Sequence, residues 1–324
     1  MAVEKKPLVS FIIPVLNGER DIARCLLSLR AQGFSSEKYE ILVIDNGSTD
    51  KTHQIISDLG FDMEVMHGAN VGALRNRRAS VARGEYLAFV DADVELMPGW
   101  LEKGLAAFGN QQVVAAGCFP RVPQPATWVQ QLWDIHQCGT QWKKNGKPVA
   151  WLPSMNLLVR REAFLRIGGF SEQLETAEDV DLSYRIGKEG RILCNLAMDA
   201  IHWGEARDLR MFWRKEVWRG RGNLHGFLSH GLIWSELPSL GYPLYVLCFF
   251  VLLILSCILD LWNRRFALSL FSLGLLILPA LSLAAVTVLR ARRPKAIHGL
   301  FLLYLIYGFA RAYSIVRAGI DRQK

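Results

Sequence analysis

Apolar residues fall in short blocks through the first two-thirds of the chain and in long unbroken blocks through the last third. Val9 to Pro14 is a β-branched run closed by Pro14, which predicts a central strand leading into a loop. Ile22, Leu26 and Leu29 recur at helical spacing between Glu19 and Ala31, ahead of Gly33. Tyr39 to Ile44 predicts the next strand, and Asp45-Asn46-Gly47-Ser48-Thr49-Asp50 a turn into a helix with Ser48 or Thr49 as N-cap. Met63 to His67 predicts a weaker strand, followed by a glycine-bearing loop and a basic helix through Arg75, Arg77, Arg78 and Arg83. That helix delivers the chain to Tyr86–Val90, apolar on both faces and therefore a buried parallel strand. Three strand-helix units in succession predict right-handed crossovers, a mostly parallel sheet and loops gathered at one edge.

Further on, Pro98 opens a helix, and Val113–Gly117 and Leu157–Val159 read as strands. The segment Phe119 to Ala150, with Trp128, Trp133 and Trp142, reads either as an acceptor-facing or membrane-facing insertion or as a packed peripheral helix pair. Glu178 to Arg185 opens another helix, whose acidic start suits the positive end of the helix dipole. Tyr242 to Leu261 is apolar up to Asp260, and Phe266 to Leu289 carries no charge, so both are long enough to span a bilayer. Gly299 to Val316, interrupted by Arg311, reads as a third span or an interfacial helix. The aromatic and cationic residues of Phe212 to Arg221 suit the headgroup region just before the first span.

Composition adds the sign of the partner. The 38 Lys and Arg against 30 Asp and Glu give a net charge of +8, which suits nucleotide phosphates or anionic headgroups. No separate basic and aromatic arm points to nucleic acid. The 6 cysteines show no CxxC and read as reduced, and the charged start of the chain lacks the apolar core of a signal peptide. Basic residues between Ala206 and Gly222, with Arg290, Arg292, Arg293 and Lys295, favour the cytoplasm, whereas Arg264 and Arg265 would face out.

The chemistry centres on Asp91 and Asp93, one residue apart at the C-terminal end of the buried strand, where open α/β sheets place their ligands. In an extended segment both carboxylates point the same way and can approach one divalent ion, directly or through phosphates and water. Aspartate also favours ordinary turns, so the pair gains meaning only from its company.

That company is specific. In order along the chain come Ile13-Pro14-Val15-Leu16-Asn17, Asp45 to Asp50, Asn70-Val71-Gly72 with Arg75-Asn76, and Asp91-Ala92-Asp93. Gly168-Gly169-Phe170 and Glu178-Asp179-Val180-Asp181-Leu182 complete the set. With these motifs the chain resembles the family 2 glycosyltransferases, inverting enzymes of the GT-A fold, over about Leu8 to Asn223. The resemblance implies an α/β fold: a Rossmann-like, mixed but mostly parallel sheet flanked by helices, here followed by C-terminal transmembrane helices. It further implies a nucleotide-diphosphate sugar donor and Mg2+ or Mn2+ as cofactor. Carried over by position, Pro14, Val15, Asn17, Asp45, Arg75, Asp91 and Ala92 would contact the nucleotide, Asp93 with Asp91 and His202 would hold the metal, and Asp179 would be the general base. Ser154, Asn156, Glu178, Arg219 and Arg221 are assigned to the acceptor side.

Two features depart from the family pattern. Asn46 stands where a second aspartate is often found, and Trp218 to Gly222 lacks the glutamine that opens the Gln-x-x-Arg-Trp signature of processive synthases, which favours single-sugar transfer. The expected organisation is a catalytic domain over residues 1–235 and a membrane domain over 236–324, with helices at about 242–261, 266–289 and 299–316. The expected function is transfer to a lipid or lipid-linked glycan in cell-envelope or exopolysaccharide synthesis, at the inner membrane with the catalytic domain cytoplasmic. Alternatives are a polyprenyl-phosphate glycosyltransferase and a catalytically silent scaffold of the same fold.

Overall fold

The computed structural model describes residues 6–139, 141–221, 237–264 and 266–321. Its strands are β1 (Val9–Val15), β2 (Tyr39–Asp45), β3 (Met63–Val65), β4 (Tyr86–Val90), β5 (Val94–Leu96), β6 (Val113–Gly117), β7 (Asn156–Arg160), β8 (Arg191–Cys194) and β9 (Ala200–His202). Seven of them form one sheet in the order β3-β2-β1-β4-β7-β6-β8, in which only β7 runs against its neighbours. The sheet is thus mixed and mostly parallel, flanked by helices, as expected of the GT-A fold. Every residue of β1 and β4 is buried, because helices cover both faces. On one face Phe11, Ile13 and Val15 pack with Ile22, Leu26 and Leu29 of α1 (Ile22–Arg30). On the other, Ile12 and Phe89 pack with Ala79 of α3 (Val71–Val81), which follows α2 (Thr52–Asp58). Phe89 also stacks within 5.2 Å of Phe164 and 5.0 Å of Phe170, so truncating it to alanine is expected to cost about 3–5 kcal/mol.

The topology fixes where the chemistry lies. Strands β1, β2, β3, β4 and β6 all point their C-terminal ends to one edge, and the antiparallel β7 begins there, with Asn156 opposite Val90. After β4 the chain turns into a separate two-stranded ribbon in which β5 pairs antiparallel with β9. Three further helices complete this part: α4 (Trp100–Ala106), α6 (Arg161–Arg166) and α7 (Glu178–Ile186).

The contacts divide the chain into two compact units, Met1–Pro125 with Gln141–Glu205, and Ala126–Thr140 with Ala206–Lys324. The domain boundary expected at residues 235 and 236 lies outside the described residues. The second unit holds α5 (Trp128–Cys138), α8 (Leu209–Gly220), α9 (Leu237–Asn263), α10 (Ala267–Ala291) and α11 (Ile297–Asp321). Of the two readings of the tryptophan-rich segment, the packed helix describes α5. Its Val129 and Trp133 share a core with Phe212, Ala280, Ala284, Leu300 and Leu303.

Three stretches are long and apolar enough to cross a membrane: Gly241–Asn263, Ala267–Ala291 and Pro294–Arg317. Two of their charged groups are matched within the unit. Asp260 accepts hydrogen bonds from the backbone N and Oγ of Ser269, both at 2.7 Å, and so caps the start of the following helix. Arg311, the charge that interrupts the third stretch, donates from Nε to Oε2 of the buried Glu216 at 2.9 Å.

Candidate active site

The loops that follow β1, β2 and β3 are tied into one rigid rim. Asn17 takes a left-handed conformation (φ 51°), which asparagine tolerates better than most residues, and its Oδ1 accepts from Thr49 N at 2.9 Å. In return Ser48 Oγ accepts from Asn17 N at 2.7 Å, and Thr52 Oγ1 from Gly18 N at 2.8 Å. Pro14 and Val15 lie buried at the end of β1, with Asn17 exposed beyond them. Ser48 therefore serves the turn, and the helix expected to start on Ser48 or Thr49 begins only at Thr52.

Asp45 is fully buried at the end of β2 and organises this turn. It accepts from the backbone N of Gly47 and of Ser48 at 2.7 Å each, from Ser48 Oγ at 2.5 Å, and lies 2.9 Å from His53 Nε2. Burial works against its charge, but the Ser48, His53 and backbone hydrogen bonds outweigh it and hold the carboxyl below its usual range. Asn46 ties the next loop in place: Nδ2 donates to Ala69 O at 2.8 Å while Oδ1 accepts from Ala69 N at 3.1 Å. An aspartate has no donor for the first of these bonds, which is the physical reason for the amide at this position.

Asp91 and Asp93 follow β4 as the sequence predicts, and each is then given a different partner. Asp91 Oδ1 accepts from Arg75 Nη2 at 2.6 Å. Arg75 is 1% exposed, and its other arm, Nη1, reaches Glu178 Oε1 at 2.8 Å. One guanidinium thus joins the end of β4 to the start of α7, with Phe170 beneath it at 5.1 Å. Asn76, on the same helix as Arg75, clamps the glycine-rich loop: Nδ2 donates to Phe170 O at 2.9 Å and Oδ1 accepts from Phe170 N at 2.8 Å. The close approach requires Gly169, whose φ is 72° and at which a Cβ would come within 2.4 Å of Asn76 Oδ1.

Asp179 follows Glu178 directly, after Ala177 held in a left-handed conformation (φ 65°) at a cost of roughly 1–3 kcal/mol. Its Oδ1 accepts from Val180 N at 2.8 Å. Burial, reinforced by the Glu178 charge, raises the Asp179 carboxyl to about 7, with Arg75 and the Val180 hydrogen bond pulling the other way. A half-buried carboxyl with that value exchanges a proton readily near neutrality.

Asp93 is placed by the ribbon. The β5–β9 register sets Val94 opposite His202, and Trp203 N donates to Asp93 O at 2.8 Å. The Asp93 Oδ2 and His202 Nε2 atoms then lie 3.2 Å apart, and His202 Nδ1 lies 3.2 Å from Glu205 Oε1. Burial opposes charge on the imidazole, but the Asp93 and Glu205 carboxylates outweigh it and raise it to about 9. The Asp93 side chain is 36% exposed and that of Asp91 28%, so both remain open to a ligand. No group of three or more His, Cys, Asp and Glu side chains set to hold an ion occurs among the described residues. An oxygen and a nitrogen donor side by side, with the imidazole backed by a carboxylate, fit a divalent ion whose other positions go to phosphate and water.

The remaining predicted residues are distributed unevenly. Ala92 is half-buried between the two aspartates, and Ser154 is buried in the loop ahead of β7. Asn156 is spent inside the fold: its Oδ1 accepts from Trp100 Nε1 at 2.6 Å and its Nδ2 donates to Cys118 O and Met198 O. With both amide hydrogens used and no exposed surface, that side chain is closed to an acceptor. Glu178 is engaged by Arg75. Arg219 and Arg221 belong to the second unit, where Arg219 Nη1 donates to Glu216 Oε1 at 2.8 Å and Arg221 ends α8. Sequence reasoning passed over Glu205, and it gave Asn76 no role beyond its place in the Arg75-Asn76 motif. The His-x-x-Glu spacing of the ribbon end would have signalled Glu205, and the companion of Arg75 in the Arg-Asn pair would have signalled Asn76.

Comparison with known proteins sets this geometry in a family. The model of glycosyl transferase family 2 matches residues 10–168. The glycosyltransferase AglE of Haloferax volcanii is 29% identical over 229 residues, which are 67% of this chain and 73% of that protein. A validoxylamine A glucosyltransferase of Streptomyces hygroscopicus subsp. limoneus is 27% identical over 58% of this chain and 50% of its own length. Among solved structures, a mannosyltransferase from Pyrobaculum calidifontis in complex with GDP-Man and Mn2+ aligns with a TM-score of 0.60 and 18% identity. The alignment covers 95% of this chain and 87% of that one, and the likeness concerns the fold.

Proposed function

The chain belongs to glycosyl transferase family 2, and from that premise we propose that it is a membrane-anchored, inverting enzyme. It moves one sugar from a nucleotide-diphosphate sugar to a hydroxyl on a lipid or lipid-linked glycan. The observation that carries this reading is the Arg75 guanidinium, which gathers Asp91 and Glu178 and so brings Asp179 into the same charged cluster. The rim formed by Pro14, Val15, Asn17 and the Asp45 turn borders the nucleoside, and Arg75 fixes the Asp91 carboxyl beside it. Asp93 and His202 would hold Mg2+ or Mn2+, which when bound would offset the negative charge that develops on the leaving diphosphate. Asp179 accepts the proton of the attacking hydroxyl, so that attack opposite the leaving group inverts the anomeric centre.

The three apolar stretches anchor the chain in the membrane, and the basic link of Arg290, Arg292, Arg293 and Lys295 favours a cytoplasmic catalytic domain. Such anchoring is consistent with a lipid-borne acceptor and with a role in cell-envelope or exopolysaccharide glycan synthesis. The test is to incubate membranes containing the protein with a panel of labelled nucleotide sugars and to extract the lipids. Label from one donor should enter the lipid fraction, and the Asp179→Asn protein should transfer almost none. Full transfer by that variant would replace the hydroxyl with an already ionised lipid phosphate as acceptor.

A further inference from the structure

Resting on the cation site proposed above, we propose that Glu205 is a positioning residue. It holds His202 with Nε2 turned toward Asp93 and thereby sets the affinity of the pair for a divalent cation. The ribbon register brings the backbone of His202 opposite Val94, but it leaves the imidazole free to rotate about its side-chain torsions. Glu205 removes that freedom. Its Oε1 lies 3.2 Å from Nδ1 while Nε2 lies 3.2 Å from Asp93 Oδ2, and both His202 and Glu205 are 5% exposed. A carboxylate this deeply buried is costly unless it is hydrogen-bonded, and here the imidazole N–H is a donor to it. When a cation takes the place of the Nε2 proton, an imidazole that still gives Nδ1–H to a carboxylate binds it more strongly.

The turn between the two residues leaves room for the cation pair. A Cβ on Gly204 would come 1.8 Å from Asp93 Oδ2 and 3.0 Å from His202 Nε2, so glycine opens the space in which Asp93 and His202 meet. The ribbon itself is anchored independently of Glu205. Trp203 Nε1 donates to Glu95 Oε2 at 2.8 Å, and the Arg24 guanidinium lies 3.8 Å over the Trp203 ring. Replacing Glu205 should therefore loosen the imidazole without unfolding its support.

The experiment is a Mn2+ titration of the full chain in detergent, followed by the electron paramagnetic resonance of the free ion, with no nucleotide sugar present. Glu205→Ala should weaken Mn2+ binding about 10-fold to 100-fold, the usual effect of losing such a partner. Glu205→Gln, whose amide oxygen still accepts from Nδ1, should fall between the two, with the metal-free melting temperature of the parent. Should the alanine variant fail to fold, the glutamine variant carries the test. Parental Mn2+ affinity in the Glu205 variants, beside weakened binding in His202→Ala, would overturn the role of Glu205 and leave the cation site standing. Absence of Mn2+ binding by the parent would overturn the cation site and this inference together.

Discussion

Arg75 and Glu178 meet through a 2.8 Å hydrogen bond from Nη1 to Oε1, although one lies midway along α3 and the other opens α7. With Asp91 on the other arm, the buried guanidinium bridges a buried carboxylate and a partly exposed one. Removing it strands both. Arg75→Ala is expected to lower the unfolding free energy by about 3–5 kcal/mol, as for other broken buried ion pairs, and urea denaturation measures this. Arg75→Lys keeps the charge but lacks the fork, so it should hold only one of the two acids and raise the Michaelis constant for the donor.

Asp179 supplies a pH signature. With its carboxyl raised to about 7, the proposed base is present above that value and lost as pH falls below it, so kcat/KM should rise through about pH 7 and then level. The sign for stability is opposite. A carboxyl whose folded value exceeds its unfolded one favours folding when protonated, and that contribution is lost between about pH 4 and 7 as pH rises. Asp179→Asn should therefore melt no lower than the parent at pH 8 while losing the rising limb of the rate profile. A variant that is slow only because it is less stable would show the reverse.

The Asn46 amide gives and receives one hydrogen bond with Ala69. Asn46→Asp removes the donated bond and sets a carboxylate against the Ala69 carbonyl, at a cost of about 1–3 kcal/mol. A melting temperature several degrees below the parent at neutral pH is expected. An unchanged value would show that this bridge does not hold the rim together.

What could be read beforehand followed from how strongly each segment is patterned. The strands β1 and β4 are apolar runs buried on both faces, and their burial by helices makes the parallel arrangement the natural one, whereas β7, nearly as apolar at its centre, runs antiparallel. Strands β5 and β9, three residues each, carry no such run, and their pairing depends on contacts between Val94 and His202 far apart in the chain. The two aspartates were visible as a motif, but their division between Arg75 and His202 was not, because it is set by tertiary approach. Asn156 shows the limit from the other side. A polar residue at a strand start near the site reads as a ligand contact, and it proves to satisfy Trp100, Cys118 and Met198 within the core. The departure of α5 to the apolar helices was likewise written in packing, through Val129 and Trp133, rather than in its local sequence.

In the proposed reaction two acids divide the labour, Asp93 serving donor binding and Asp179 serving proton transfer. Calorimetric titration of the identified nucleotide sugar in the presence of Mn2+, paired with single-turnover rates for the same proteins, tests it most directly. Asp93→Ala should lose the Mn2+-dependent part of donor affinity. Asp179→Asn should bind the donor like the parent yet transfer the sugar about 100-fold to 10,000-fold more slowly, the range of general-base loss. Undiminished Mn2+-dependent binding in the first variant, or parental transfer in the second, would contradict the account.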